Sequence, residues 1–296
     1  MKKIDLDKEF TKKQQIITCS ILISILLFSI TYQIYKEFIQ EKPIVIERLG
    51  DLAFDAELSE NFRVYIPENG QLEPYFVVTN DYANQGNTLL VREFVWDKPM
   101  KQQETIETSY YGSSLPDRFL NEDFINRFPD ELGKKIEFTR VLVRDTEFKP
   151  ESKSYQKLGR NIFLLSRYEL GFYSEPVWDE EALSFFQVYD DASYPNRQAK
   201  LIYGSEGENW KRRVSWWLRS DTTPEKDTTN VVLDDGWWEI ANTQEEHYVR
   251  PAFCLPPRLP VKEIDRNGEK IYVLSDFEFE GINENVFVDE QEVNNY

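Results

Sequence analysis

The sequence predicts an α+β outer domain carried on one transmembrane helix. Three observations predict it: an uncharged apolar run near the N-terminus, a meander of alternating strands, and a Ser-capped, Pro-started helical segment that interrupts the strand pattern. From Gln14 to Tyr35 no Asp, Glu, Lys or Arg occurs. At about 1.5 Å per helical residue this run can cross a hydrocarbon core of about 30 Å, so a transmembrane helix is expected over 15–35. Lys2, Lys3, Lys8, Lys12 and Lys13 precede it, and Lys36, Lys42 and Arg48 follow. That bias puts an arm, 1–14, in the cytoplasm and the rest outside the cell, held at the cell membrane by a single-pass anchor. A cleaved signal peptide is the competing reading. Its apolar core would be about 7–15 residues with a small-residue cleavage site, whereas this run is longer and no alanine follows it closely. Cys19 sits inside the run after Thr18, which disfavours a lipoprotein signal, and the first glycine is Gly50, which disfavours a pilin-type leader.

After a juxtamembrane stalk, 36–60, the strands begin. Phe62–Pro67 and Pro74–Thr79 flank Asn69-Gly70, a pair suited to a tight hairpin turn. Thr88–Val95 completes a three-strand meander. Ser114-Leu115-Pro116-Asp117 then opens a helix, with Phe119, Leu120, Phe124, Ile125 and Phe128 on one face. Shorter helical turns are expected at Pro129–Gly133, Arg167–Gly171 and within 178–187. Further strands are expected at Ile136–Val143, Asn161–Ser166, Val214–Ser220, Val231–Leu233, Trp237–Ile240 and Tyr248–Leu255, with an Asn267-Gly268 hairpin after them. The outer domain is thus expected over 61–264, with an acidic C-terminal extension over 265–296.

The net charge of −18 makes nucleic acid an unsuitable partner. There are two cysteines, Cys19 in the apolar run and Cys254 in the outer domain, so no disulfide joins them across the membrane and Cys254 is expected as a small buried hydrophobe. The single histidine, His247, rules out a multi-His metal site and makes a Ser-His-Asp triad improbable. Flanked by Glu245 and Glu246, it is expected at the surface. No G-x-S-x-G or phosphate-binding loop is present. No cofactor is expected. Calcium stays open as an alternative because Asp190-Asp191, Asp234-Asp235 and Asp179-Glu180-Glu181 offer oxygen ligands, although none has EF-hand spacing.

Trp216-Trp217-Leu218-Arg219-Ser220 and Val249-Arg250-Pro251-Ala252-Phe253 resemble a bacterial family. It is a domain of unknown function common in Gram-positive gut bacteria and their phages, marked by W-W-L-R-S, a polar segment with an Asp-Gly turn, and then V-R-P-A-F. Pro74–Tyr82, Phe119-Leu120-Asn121 and Phe163–Ser166 with Glu169-Leu170-Gly171 also look like it, so the likeness runs over about 62–257. The resemblance implies a C-type-lectin-like fold of short strands and about two helices, related to formylglycine-generating enzymes. It also implies a ligand-facing segment at about 221–248, which contains Trp237, Trp238 and His247. The Cys pair and the three His used by enzymatic relatives are missing.

These readings make the chain a non-catalytic extracellular binding module for a glycan or a protein. The alternative is a structural subunit of a membrane-protein complex in the cell envelope or a secretion-type assembly. Candidate ligand contacts are Trp237, Trp238, Asp221, Asn230 and His247, with no catalytic residue and no metal ligand. Trp216 and Trp217, adjacent on a strand, are expected to face opposite sides with at least one in the core, and the same holds for Trp237 and Trp238. Arg219 and Arg250 are expected to pair with buried acids.

Overall fold

The computed structural model describes residues 17–32, 45–58, 60–145, 154–172, 180–190, 193–205, 208–221 and 227–287. The chain divides into two units, Met1–Val45 and Ile46–Tyr296. In the first, residues 17–32 form helix α1. Hydroxyls bond back to its own backbone: Ser24 Oγ donates to the Ser20 carbonyl at 2.9 Å and Thr31 Oγ1 to the Leu27 carbonyl at 2.8 Å. This is how such residues are accommodated inside a helix. At about 1.5 Å per residue α1 measures about 24 Å. Among the described residues no helix is long and apolar enough to cross a membrane, which overturns the expected transmembrane helix over 15–35. The expected arm 1–14 and the part of the stalk over 36–44 lie outside the described residues.

The second unit corrects the α+β, C-type-lectin-like expectation as well, because it is mostly β-sheet. Its strands are β1 (Arg63–Glu68), β2 (Gln71–Thr79), β3 (Thr88–Arg92), β4 (Met100–Lys101), β5 (Thr139–Arg144), β6 (Tyr155–Arg160), β7 (Ile162–Phe163), β8 (Ala199–Ser205) and β9 (Glu208–Val214). They continue with β10 (Trp216–Asp221), β11 (Thr228–Val232), β12 (Trp238–Asn242), β13 (Glu246–His247), β14 (Ala252–Leu255), β15 (Val261–Arg266), β16 (Glu269–Leu274) and β17 (Gly281–Ile282). Besides α1, the described α-helices are the short α2 (Leu115–Glu122) and α3 (Asp130–Gly133). Ser114 caps α2 by accepting from the Asp117 amide at 3.1 Å. The apolar face expected to continue through Phe128 instead breaks at Asp123 into a 3₁₀ turn, Phe124–Arg127. Phe124 there packs edge-on against both Phe119 and Phe128, and Phe128 meets Phe253 at 5.2 Å. Compact ring clusters of this kind cover the sheet in single turns, so no long helix is needed to bury the phenylalanines.

The main sheet runs β15-β16-β1-β2-β3-β14-β7, with β17 added to β2. Two predicted hairpins form as read: Asn69 and Gly70 (φ 46° and 80°) join β1 to β2, and Asn267 and Gly268 (φ 52° and 87°) join β15 to β16. Both turns need positive φ at two residues, which Asn-Gly supplies at low cost. β3 and β14 are buried at every position, so both faces of the sheet centre are covered. Cys254 lies there, and burial pushes its thiol up to about 12. The smaller sheets are β10-β11-β12, β13-β4, β5-β6 and β8-β9.

Segments expected outside the domain contribute to its core. Leu49, Leu52 and Ala53, from the stretch read as stalk, are fully buried. In the stretch read as acidic extension, β16 pairs with both β15 and β1 and buries Ile271, Val273 and Leu274. Further on, Phe287 stacks on Tyr65 at 6.0 Å. The same segment closes a buried charge cluster. Arg92 Nε donates to Glu68 at 2.8 Å and Arg92 Nη2 lies 3.2 Å from Glu73, Arg127 Nε donates to Glu68 at 3.2 Å, and the Tyr75 hydroxyl donates to Glu68. Asn283 Nδ2 caps Glu73 at 2.7 Å.

Candidate functional site

Trp216 and Trp217 open β10, and both are fully buried because both faces of this strand are covered. Trp216 Nε1 donates to the Arg197 carbonyl at 3.1 Å, and Trp217 Nε1 donates to the Met100 carbonyl at 2.7 Å. The second pair differs. Trp237 sits in the turn before β12 and is 47% exposed, whereas Trp238 is half-buried. Gly236, at φ 89°, allows this turn to press against the chain at 194–198, where a Cβ would meet the Tyr194 carbonyl at 3.0 Å. Trp237 therefore lies against Tyr194 (5.6 Å, edge-on), and Tyr194 against Tyr189 (4.9 Å). Tyr189 is 57% exposed, and Ile240 adds an exposed aliphatic chain from β12. Arginines brace the rings from behind. Arg197 lies 3.5 Å over Tyr194 and 4.2 Å over Phe172, and Arg167 lies 4.4 Å over Trp238. The result is a run of open aromatic surface, Tyr189, Tyr194 and Trp237, whose middle ring is held by a cation–π contact from Arg197.

Of the other predicted contacts, Asn230 is not at the surface. It is 1% exposed on β11, and its amide donates to the Ser220 carbonyl at 2.8 Å. Asp221 ends β10 opposite Thr229. His247 is also corrected, because its ring packs edge-on against Trp217 at 4.6 Å instead of facing water. Its Nδ1 lies 2.6 Å from Ser215 Oγ and its Nε2 3.5 Å from Glu245. Burial lowers its pKa, although Glu245 pulls the other way. Neither the cleft over Arg219 nor the cleft beside α2 is lined by Ser215 or His247.

Arg219, two residues beyond Trp217, pairs with buried acids as expected. Nη1 and Nη2 both donate to Glu169 at 2.7 Å, Nη2 also donates to Glu180, and Nε and Nη1 donate to the Leu142 and Leu164 carbonyls at 3.0 and 2.7 Å. All five guanidinium N–H groups are used. Tyr82 donates its hydroxyl to Glu169, and Ser166 Oγ donates to Glu180 at 2.8 Å. Burial is the largest effect on Glu180 and, with the charge of Glu169, outweighs Arg219, so the Glu180 carboxyl is pushed up to about 7. A cleft of about 470 Å³ opens over this cluster, with Asp81, Arg140, Lys157 and Glu181 on its walls. Arg250, in contrast with the expectation, makes no ion pair among the described residues, and Glu93 acts on it only through its charge. Arg250 donates to the Arg92 and Asn196 carbonyls and lies 5.2 Å over the Trp216 ring. Burial lowers its pKa to about 10.

A second cleft, about 480 Å³, lies beside α2. Arg160 there holds Asp117 through Nε and Nη2 at 2.8 Å, and Phe138 lies exposed at the rim. Among the described residues no group of three or more His, Cys, Asp or Glu side chains is arranged to hold a metal ion. Asp179 and Asp191, two of the carboxylates that left calcium open as an alternative, lie outside the described residues.

No curated protein matches the chain, and no solved structure matches it. Residues 85–257 match the family defined as a domain of unknown function (DUF6273). That stretch includes β3 through β14 and both residues of the Arg219–Glu169 pair. It covers more than half of the sequence, and the chain belongs to this family.

Proposed function

We propose that the second unit is a non-catalytic binding module that meets a glycan or a protein through the face formed by Tyr189, Tyr194 and Trp237. The observation that carries this reading is the exposure of Tyr189 and Trp237 on a braced aromatic run, while every other tryptophan described with its side chain is half-buried or buried. Rigid rings give contact area at small entropic cost, and such residues dominate binding hot spots. The chemistry around them is recognition chemistry. The one histidine packs against Trp217, and Arg197 lies over the Tyr194 ring.

The test is binding of the full chain to an array of bacterial envelope glycans and surface proteins, repeated with Trp237→Ala and Tyr189→Ala. Each truncation is expected to remove about 2 kcal/mol of binding energy with little loss of melting temperature. Trp216→Ala, the control, is expected to cost about 3–5 kcal/mol of stability. Binding that survives both surface truncations at full strength would place the ligand elsewhere.

A further inference from the structure

We propose that the cleft over Arg219 binds a small zwitterionic amine, an α-amino acid or the terminus of a short peptide, with its ammonium group on Glu180 and its carboxylate toward Arg140. The inference does not depend on the aromatic face and concerns a different set of residues.

Charge balance carries it. The sealed cluster at Arg92 sets two glutamates, Glu68 and Glu73, against two arginines, Arg92 and Arg127. The open cluster sets Glu169 and Glu180 against Arg219. Every N–H of Arg219 is already committed, so it cannot take an anionic ligand. Glu169 is fully engaged by Arg219, Tyr82 and the Ser166 amide. Glu180 receives one bond on each oxygen, from Arg219 and from Ser166, which leaves a lone pair on each. Its carboxylate is almost wholly buried yet lines the cleft. A buried carboxylate that lacks its own counter-charge is costly, and an entering ammonium supplies that charge. The same cleft is lined from β5 by Arg140, a permanent cation, so a ligand with a second, anionic end finds a charge of opposite sign in the same cavity. The volume of about 470 Å³ is within the range of small-molecule sites. The groups facing Glu180 are Glu169 and Arg219 beneath it, Tyr82 and Asp81 from the 79–85 loop, Arg140 and Lys157 from the hairpin, and its neighbour Glu181. Because this carboxyl ionises at about 7, ammonium binding strengthens as pH rises through neutrality.

Calorimetric titration of the full chain with L-alanine, L-alanyl-L-alanine and N-acetyl-L-alanyl-L-alanine tests the proposal. The two free amines are expected to bind and the acetylated one is not. Tighter binding of the dipeptide than of alanine would mark a peptide terminus as the natural ligand, and equal binding a free amino acid. Glu180→Gln should weaken both by about tenfold or more, and Arg140→Ala should weaken them to a smaller degree. Trp237→Ala should leave them unchanged, which separates this site from the aromatic face. The comparison of free with acetylated dipeptide on the unaltered protein needs no variant to fold. Equal binding of the acetylated dipeptide, undiminished binding by a folded Glu180→Gln protein, or no binding of either free amine at millimolar concentration would overturn the proposal.

Discussion

The fold contains one arrangement twice. Arg92 with Glu68, Glu73 and Tyr75 and Arg219 with Glu169, Glu180 and Tyr82 each bury a guanidinium between two carboxylates and give one of those carboxylates a tyrosine hydroxyl. They differ in what lies around them. The first has a second arginine and is closed by the C-terminal segment through Asn283. The second has Arg219 and a cleft. The same side chains therefore serve different ends. A balanced, sealed cluster stiffens a sheet, and an unbalanced, open one keeps a carboxylate whose ionisation is sensitive to what enters. Buried ion pairs contribute little net stability when complete but are costly to break, so the two clusters should respond differently to the same kinds of change.

Removing the seal should have the largest effect. Deletion of residues after Arg266 takes away β16 and its buried Ile271, Val273 and Leu274. The expected loss is about 5 kcal/mol or more, enough to unfold many domains. A denaturant melt that is unchanged would show that the segment only decorates the domain. Next is Arg219→Met, which removes the buried guanidinium that pairs with both Glu169 and Glu180 and should cost about 3–5 kcal/mol. Arg127→Met, in the balanced cluster, leaves Arg92 in place and should cost clearly less in the same melts.

The pH dependence of stability should then separate Glu180 from Glu68, while Glu73, which burial raises, shifts in the same direction as Glu180. Glu180 is held at about 7 in the folded protein against 4.5 when unfolded. Between those values the folded state holds the proton that the unfolded state has lost. Stability from this group is thus complete below about pH 4.5 and lost as pH rises through 7, an amount on the order of 3 kcal/mol. Glu68 behaves in the opposite way. Burial opposes its ionisation, but Arg92, Tyr75 and Arg127 together lower its pKa, so its contribution is present above its unfolded value and lost on acidification. In melts from pH 4 to 8, Glu180→Gln should flatten the neutral limb and leave the acid limb. If the neutral limb persists in that variant, another group sets it. The smallest effect expected is from Asn283→Ala. It removes one hydrogen bond to Glu73 and should cost about 1 kcal/mol, measured by the same melts.

Local chemistry made several features legible before any contact was known. Asn69-Gly70 and Asn267-Gly268 set hairpins because few other pairs hold two positive φ angles, and Ser114 caps its helix because its hydroxyl reaches the Asp117 amide three residues on. The buried strands around Leu89–Val91 and Ala252–Leu255 were legible as apolar runs. The apolar run near the N-terminus was equally plain. Hydropathy records preference for a solvent, however, and helix length is a separate property that the described α1 does not carry to a membrane span.

The arrangement of the site could not be read in this way. Arg219 and Glu169 are 50 residues apart and Tyr82 and Glu169 are 87 apart, and no periodicity links such positions. An exposed charge and a buried, paired one look the same in a string of letters. The tryptophan pairs show the same limit: alternation along a strand tells which two rings face opposite ways, but whether each face is covered depends on Arg197, Met100 and His247 arriving from elsewhere. By itself the sequence determined turns, caps and apolar strands, because each depends on the conformational preferences of neighbouring residues. The tertiary structure alone decided which carboxylates share an arginine, which cluster is sealed, and that Trp237 stays exposed, because those depend on which distant surfaces meet and exclude water.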